Sequence, residues 1–330
     1  MRFIIYGAGG VGGVIGARLF QQGHEVILIA RGAHLEKIQS KGLFFERPKE
    51  SITLKIPAVG HPSEINFQKN DVVLLTMKTQ HCLPALEELR DAAGDEIPVI
   101  CGQNGVNNER MALRRFRRVY GMSVYLPALH LEPGVVQTHT TTLAGILDLG
   151  VFPQGTDALV DQVTKILSES NFSSKADPKV MRWKYAKLLL NLRNSLQAAC
   201  PLDSDTTAVG KLLREEALAC YQAAGIDYPD KEEENARRAG LLQNGKINGK
   251  SRQGGSSWQS MAKGSGDIEV DYLNGEIVLL GRLHGIPTPA NQTLQNIANQ
   301  LARKKAEAGC IPIDEIEAKI KAAQLKGEPE

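Results

Sequence analysis

The stretch Gly7-Ala8-Gly9-Gly10-Val11-Gly12 constrains this chain more than any other part of it. Before it, Arg2 to Tyr6 reads as a short buried strand through Phe3, Ile4 and Ile5. After it, Val14, Ile15, Ala17 and Leu19 recur at helical spacing, followed by a turn at Gln22-Gly23-His24 and a second strand from Glu25 to Ala30. Strand, glycine turn, helix, strand is the setting in which G-x-G-x-x-G works as a dinucleotide loop. Gly7 permits the tight turn, Gly9 lets backbone approach a pyrophosphate, and Gly12 lets helix and strand pack closely. The helix start adds free N–H groups and a positive dipole end, so Ala8, Gly10 and Val11 belong to the same cradle. A glycine turn that only packs a βαβ unit is the bland alternative, and the complete context disfavours it.

The second strand ends Ile29-Ala30-Arg31-Gly32, with no carboxylate where an NAD site usually places one for the ribose 2′-hydroxyl. A guanidinium suits a 2′-phosphate instead, so Arg31 favours NADPH/NADP+ over NAD(H). Two further buried strands are expected, Asp71 to Met77 ending at Lys78, and Pro98 to Cys101 ending at Gly102-Gln103-Asn104-Gly105. Ligands of doubly wound sheets lie beyond the carboxyl ends of the strands, which makes Lys78 and Asn104 cofactor-facing candidates. Val119 to Leu149 alternates as strands do and is expected to complete the same sheet, with antiparallel members. A turn at Phe152 to Gly155, a helix from Asp157 to Ser168, and a short strand and linker from Asn171 to Pro178 follow.

From Val180 onward helical spacing dominates. Asp230 to Gly249 is charged and then turn-rich, and reads as a helix with an exposed loop. The last stretch after Cys310 reads as one short amphipathic helix with a frayed tail. A length of 330 residues suits two domains. They are expected at 1–178, a dinucleotide-binding domain, and 179–330, a helical domain with a C-terminal extension from about 310. A net charge of +2 gives no support for nucleic acid or membrane as partner, and the cluster Arg114, Arg115, Arg117 and Arg118 reads as a solvated helix end. Five scattered cysteines, with no C-x-x-C pair, suit reduced thiols in a cytoplasmic protein and argue against a disulfide frame or a metal site. No apolar run approaches a membrane span, and the N-terminal run reads as folded structure rather than a leader because glycines interrupt it.

One stretch of the helical part stands out, Arg182 to Ala198, read here as a single helix. Lys184, Lys187, Asn191, Asn194 and Ser195 fall within a sector of roughly 100°, and leucines cover most of the remaining circumference. Two Asn and a Ser are weak helix formers, so this stripe reads as the lining of a polar cleft rather than a solvent face.

Together these pieces resemble the ketopantoate reductase family. The resemblance rests on GAGGVG, on Lys78 in LLTMKTQ, on QNGVNNE, on Lys187 and Asn191 in KYAKLLLN, and on SSWQSMAKGSGDIEVDYLNGEI with GIPTPAN. It implies an α/β fold: an N-terminal Rossmann domain, a C-terminal all-α domain and an active site in the cleft between them. It also implies NADPH-dependent reduction of a 2-oxo acid to a 2-hydroxy acid, ketopantoate to pantoate in pantothenate biosynthesis. In that light Lys187 and Glu269 match catalytic positions, and Asn104, Asn191, Ser195 and Ser257 match substrate-binding ones. Lys78 and Asn104 match the nicotinamide side, and Arg31 the 2′-phosphate arginine. Ser195 stands where the family often has Asn, Gly254 and Gly255 where an Asn is usual, and Met261 where an Asp is common. Two other readings stay open, a reductase of a different 2-oxo acid and an NADPH-binding sensor without turnover. The expected partner is a small 2-oxo acid, and a homodimer is left open.

Overall fold

The computed structural model describes residues 1–326, so the expected frayed tail at 327–330 lies outside the described residues. The chain forms two compact units, Met1–Lys184 with Pro229–Arg252, and Tyr185–Tyr228 with Gln253–Glu330. The boundary expected at 178/179 falls just before the helix within which the units divide, and the segment expected to belong to the helical domain returns to the first unit.

The first unit begins with β1 (Arg2–Tyr6), α1 (Gly10–Gln21), β2 (Glu25–Ile29), α2 (Gly32–Lys41), β3 (Leu43–Arg47), β4 (Glu50–Leu54) and β5 (Ala58–Val59). It continues through β6 (Asp71–Leu75), α3 (Cys82–Ala93), β7 (Val99–Cys101), α4 (Asn108–Leu113), β8 (Val119–Tyr125), β9 (Ala128–Leu129) and β10 (Val135–Thr138). Then come β11 (Gly145–Val151), α5 (Ala158–Glu169) and β12 (Phe172–Ser173). Eight strands pair in the order β12-β11-β8-β7-β6-β1-β2-β5. β1 runs parallel to both β2 and β6, and β11 is antiparallel to β8. Alternation along β1 divides the core. Phe3 and Ile5 pack with Val14, Ile15 and Ala17 of α1, while Ile4 and Tyr6 pack with Leu86 and Leu89 of α3. A strand apolar on both faces is what a parallel sheet covered by helices on both sides requires.

The expectation that Val119 to Leu149 completes one sheet is corrected. β9 and β10 leave it and join β3 and β4 in a second sheet of order β4-β3-β10-β9. The segment 229–252 is the expected helix and mostly exposed loop, but side-chain and backbone ties hold it to the first unit. Its helix, Lys231–Arg238, starts at a capping box in which Asp230 and Glu233 exchange hydrogen bonds with each other's backbone. Arg237 then grips Asp148 of β11 through two hydrogen bonds of 2.8 and 2.6 Å, with both side chains nearly buried. Asn244 bridges Thr140, and Asn248 donates to Glu46 at 2.9 Å. Charge patterning cannot show these ties, because Asp148 and Glu46 lie far from the segment in the chain, whereas Arg238 pairs locally with Glu234 at 2.6 Å.

The helix that contains the boundary is α6 (Val180–Asn191), and the second unit continues with α7 (Asn194–Ala199) and α8 (Thr207–Ala224). Numbering Lys231–Arg238 as α9, the rest are α10 (Ser256–Ala262), α11 (Asn274–His284), α12 (Pro289–Arg303) and α13 (Ile313–Lys326). α8 and α11 pack on each other and on α12, and α13 covers α12. Arg182 to Ala198 is therefore two helices rather than one. The chain turns at Leu192–Arg193, and the Leu192 carbonyl accepts from Ser195 Oγ at 2.9 Å and Asn274 Nδ2 at 3.2 Å. The weak helix formers Asn191, Asn194 and Ser195 mark the break, and side-chain donors replace the lost ladder bond.

Candidate functional site

In the first unit the sheet reverses its order of construction at β1, between β2 on one side and β6 on the other. The crevice beyond the carboxyl ends of those strands is where open α/β sheets hold ligands. Gly7 takes φ +103°, a left-handed conformation, and its Cα faces the Met77 backbone just beyond β6. Gly12 is the tighter case. A Cβ there would meet the Gly7 carbonyl at 2.5 Å and Ile5 Cγ2 at 2.8 Å, as well as Thr76 Oγ1. Thr76 cannot turn away freely, because its hydroxyl donates to the Gly7 carbonyl at 2.9 Å. Gly12→Ala is expected to cost about 1–3 kcal/mol by overpacking, read as a lower urea midpoint at unchanged m-value. An unaltered midpoint would mean the helix can lift off the strand.

Around Gly9 the space is open, with only His130 at 3.9 Å from a built Cβ. α1 starts immediately after it with no acidic side chain in its first turn. A backbone cradle without Cβ atoms, at a helix start without carboxylates, fits a dinucleotide pyrophosphate. His34 of α2 braces this turn, a role no sequence pattern signalled. Its Nδ1 accepts from the Gly134 N–H at 2.8 Å, so Nε2 carries the proton donated to the Ala8 carbonyl at 2.7 Å.

Arg31 stands at the start of α2 with its side chain 61% exposed. It is already paired with Glu88 of α3 at 3.0 Å. Lys78 follows β6 and leads into a short turn, Thr79–His81. That turn is tied to the loop after β7, because Thr79 Oγ1 and Asn108 Nδ2 both donate to the Asn104 carbonyl, at 3.4 and 3.0 Å. Lys78 and Asn104 are thus on two neighbouring, joined loops at the carboxyl edge of the sheet.

Beneath the Asn104 loop lies a buried polar cluster that the sequence did not announce. Lys184 Nζ is 2.5 Å from Glu109 and donates to the carbonyls of Cys101 and Gln103 at 3.2 and 3.0 Å. Both side chains are almost fully buried, at 2% and 0% exposed. Lys184 therefore does not line a polar cleft beside Lys187 but pins the end of β7. Burial, and then the Glu109 charge, push the neighbouring Cys82 thiol up to about 12, and the same causes raise Cys101 well above the ordinary thiol range. Both thiols are protonated and weakly reactive at neutral pH. The basic cluster read as a solvated end is partly offset by acids, Arg115 by Glu87 at 2.8 Å and Arg117 by Asp95 at 3.0 Å.

In the second unit Lys187 and Asn191 sit one turn apart on α6, Lys187 half-buried and Asn191 buried. The Asn191 amide nitrogen is buried with no hydrogen-bond partner among the described residues. Ser195 lies beyond the helix break, buried, with its hydroxyl proton committed to the Leu192 carbonyl. Ser257 on α10 is buried as well, and α10 packs against α7. Asn194 and Ser256 link the two at 3.4 Å. This packing explains Gly255, where a Cβ would meet Gln197 Oε1 at 2.5 Å and Asn194 Oδ1 at 3.0 Å. Glu269 is buried in a short turn, Glu269–Tyr272, that packs on α11 and α12.

Among the described residues no group of three or more His, Cys, Asp or Glu is placed to hold a metal ion, and no helix is long and apolar enough to cross a membrane.

Comparison with known proteins gives a result for each part of the chain. Residues 3–154 match the family described as ketopantoate reductase PanE/ApbA, and residues 179–302 match its C-terminal counterpart. The chain is 26% identical to a 2-dehydropantoate 2-reductase of Mesorhizobium japonicum, over 94% of this chain and 99% of that one. A PanE/ApbA family ketopantoate reductase structure from Ralstonia eutropha superposes with TM-score 0.77 at 30% identity, covering 92% of this chain and 99% of that one. D-mandelate dehydrogenase, solved with NADH and anilino(oxo)acetate, shares the fold at TM-score 0.77 and 21% identity, over 98% and 100% of the two chains. A mixed α/β N-terminal part followed by a helical part, matched over residues 3–154 and 179–302 by two models of one family, makes this chain a member of the ketopantoate reductase PanE/ApbA family and an oxidoreductase.

Proposed function

We propose that this chain uses NADPH to reduce a 2-oxo acid to the 2-hydroxy acid. Its first substrate is 2-dehydropantoate (ketopantoate), which yields pantoate for pantothenate biosynthesis in the cytoplasm. The observation that carries this reading is the Lys187–Asn191 pair. A cationic donor and a buried, unpartnered amide nitrogen stand one helical turn apart in a chain of this family. A buried donor without an acceptor costs about 1–3 kcal/mol, which a substrate carbonyl, hydroxyl or carboxylate oxygen would relieve.

When bound, the reduced nicotinamide supplies the hydride that goes to C2 of the oxo acid. Lys187 polarises the C2 carbonyl and donates a proton to its oxygen as negative charge develops there. Asn191 donates to the substrate, Ser257 holds its carboxylate, and Glu269 accepts from it or orients Lys187. Ser195, with its proton committed to Leu192, offers the substrate only hydroxyl lone pairs. Gly7 to Gly12 and Arg31 hold the cofactor, and Lys78 and Asn104 face its nicotinamide end.

A second reading, a different 2-oxo acid, is favoured by the same commitment of Ser195 and by Gly255, where close packing leaves no room for an Asn. NADPH oxidation measured with ketopantoate and a panel of branched 2-oxo acids separates the two. Fastest turnover on ketopantoate supports the first reading, turnover confined to another acid replaces it with the second, and tight NADPH binding with no turnover leaves a binding protein. For the cofactor, Arg31→Ala is expected to weaken NADPH by about 10–100-fold, the worth of a charge-assisted contact, and NADH by less than about threefold. Equal weakening of both, measured by fluorescence titration, would remove the 2′-phosphate role.

A further inference from the structure

The geometry points to Glu88 as the residue that sets the dinucleotide preference of this chain: it competes with a 2′-phosphate for Arg31 and offers an acceptor to an unphosphorylated ribose. This rests on the reading of Arg31 as the residue that meets the 2′ end of the cofactor. Arg31 follows β2 and Glu88 lies on the helix after β6, the two strands that flank β1. Their side chains meet at the carboxyl end of β1, where the Tyr6 hydroxyl, on the last residue before the glycine turn, also donates to Glu88. His61 approaches from a third side, with Nε2 3.8 Å from the same oxygen.

All three partners use Oε2 of Glu88. Oε1 has no partner among the described residues, and the side chain is 30% exposed. A carboxylate oxygen held in place at the edge of a dinucleotide crevice is the group that accepts from a ribose 2′-hydroxyl. Here that carboxylate comes from α3 rather than from the end of β2, which is why the end of β2 alone reads as an NADP site. The same carboxylate opposes a 2′-phosphate. That group brings up to two negative charges and must draw Arg31 from its present partner, the Glu88 carboxylate, which remains beside it. The pair is partly exposed, so water and salt screen the repulsion and the effect is moderate. NADH is therefore accepted alongside NADPH, and Glu88 keeps the two close in affinity.

The test is a titration of NADPH and of NADH into the wild-type protein, Glu88→Gln and Arg31→Ala, followed by fluorescence at low and at raised salt. Gln keeps the shape and an acceptor for Tyr6 but removes the charge. Glu88→Gln is expected to tighten NADPH about 5–10-fold and weaken NADH about threefold, with the gain on NADPH shrinking as salt rises. A ratio of affinities that moves less than about twofold, or equal changes for both cofactors, overturns the role of Glu88. If Arg31→Ala is selective for NADPH while Glu88→Gln is not, Glu88 falls and the reading of Arg31 stands. If Arg31→Ala weakens both equally, that reading falls and takes this one with it. Should Glu88→Gln fail to fold, Glu88→Ala carries the same expectation for NADPH.

Discussion

Lys187→Ala is expected to lower kcat by about 10²–10⁴-fold, the usual worth of a positioned general acid, while NADPH affinity stays within about twofold. The contrast follows from where the groups lie. The glycine turn, Arg31 and the loops of Lys78 and Asn104 belong to the first unit, and Lys187 belongs to the second. A side chain whose work is to polarise a carbonyl and deliver a proton acts on charge that develops only in the transition state, so its loss falls on kcat. Lys187→Arg sharpens the test. It keeps a cation but not a group that can release its proton, and is expected to recover only the electrostatic share of the rate. Steady-state rates paired with fluorescence titration of NADPH give both numbers. A fall in cofactor affinity as large as the fall in kcat would make Lys187 a structural residue and leave the chemistry without its proton donor.

The parts of this molecule that were legible in the sequence are those where one local pattern carries the whole signal. β1, the glycine turn, α1 and β2 were readable because four consecutive elements fit in under thirty residues, and β6 and β7 because fully buried parallel strands are continuous apolar runs. The second sheet was not. β3 and β4 form a hairpin whose turn residues are Pro48 and Lys49, and Lys49 takes φ +68° at a position where Gly or Asn would normally announce the turn. Without that signal the two short strands were not anticipated, and β9 and β10 were assigned to the wrong sheet for want of a partner. Glu88 was missed for another reason. Arg31 was read against the end of its own strand, and a carboxylate on the helix after β6 cannot be placed beside it without the sheet order.

The polar stripe of α6 shows the limit of a helical projection most directly. Lys184 and Lys187 fall in one sector, yet Lys184 is sealed against Glu109 and two carbonyls at the end of β7. Lys184→Met is expected to destabilise the protein by about 3–5 kcal/mol. Neither Glu109 oxygen has a further donor among the described residues, so the ion pair with Lys184 is what compensates the buried charge. Removing both charges together, as Lys184→Met with Glu109→Leu, is expected to restore most of that loss, because the cost lies in an uncompensated buried ion rather than in a missing attraction. Urea unfolding of the two single variants and the double variant measures the coupling. Additive losses would mean that water or another group already compensates Glu109. The double variant is expected to differ from wild type in one further respect. The Cys101 and Gln103 carbonyls lose their common donor, so the loop that carries Asn104 keeps its ties to Thr79 and Asn108 but loses its anchor to α6 even where stability recovers. The affinity for NADPH should then remain weakened while the urea midpoint returns, and recovery of both together would show that Lys184 serves the fold alone.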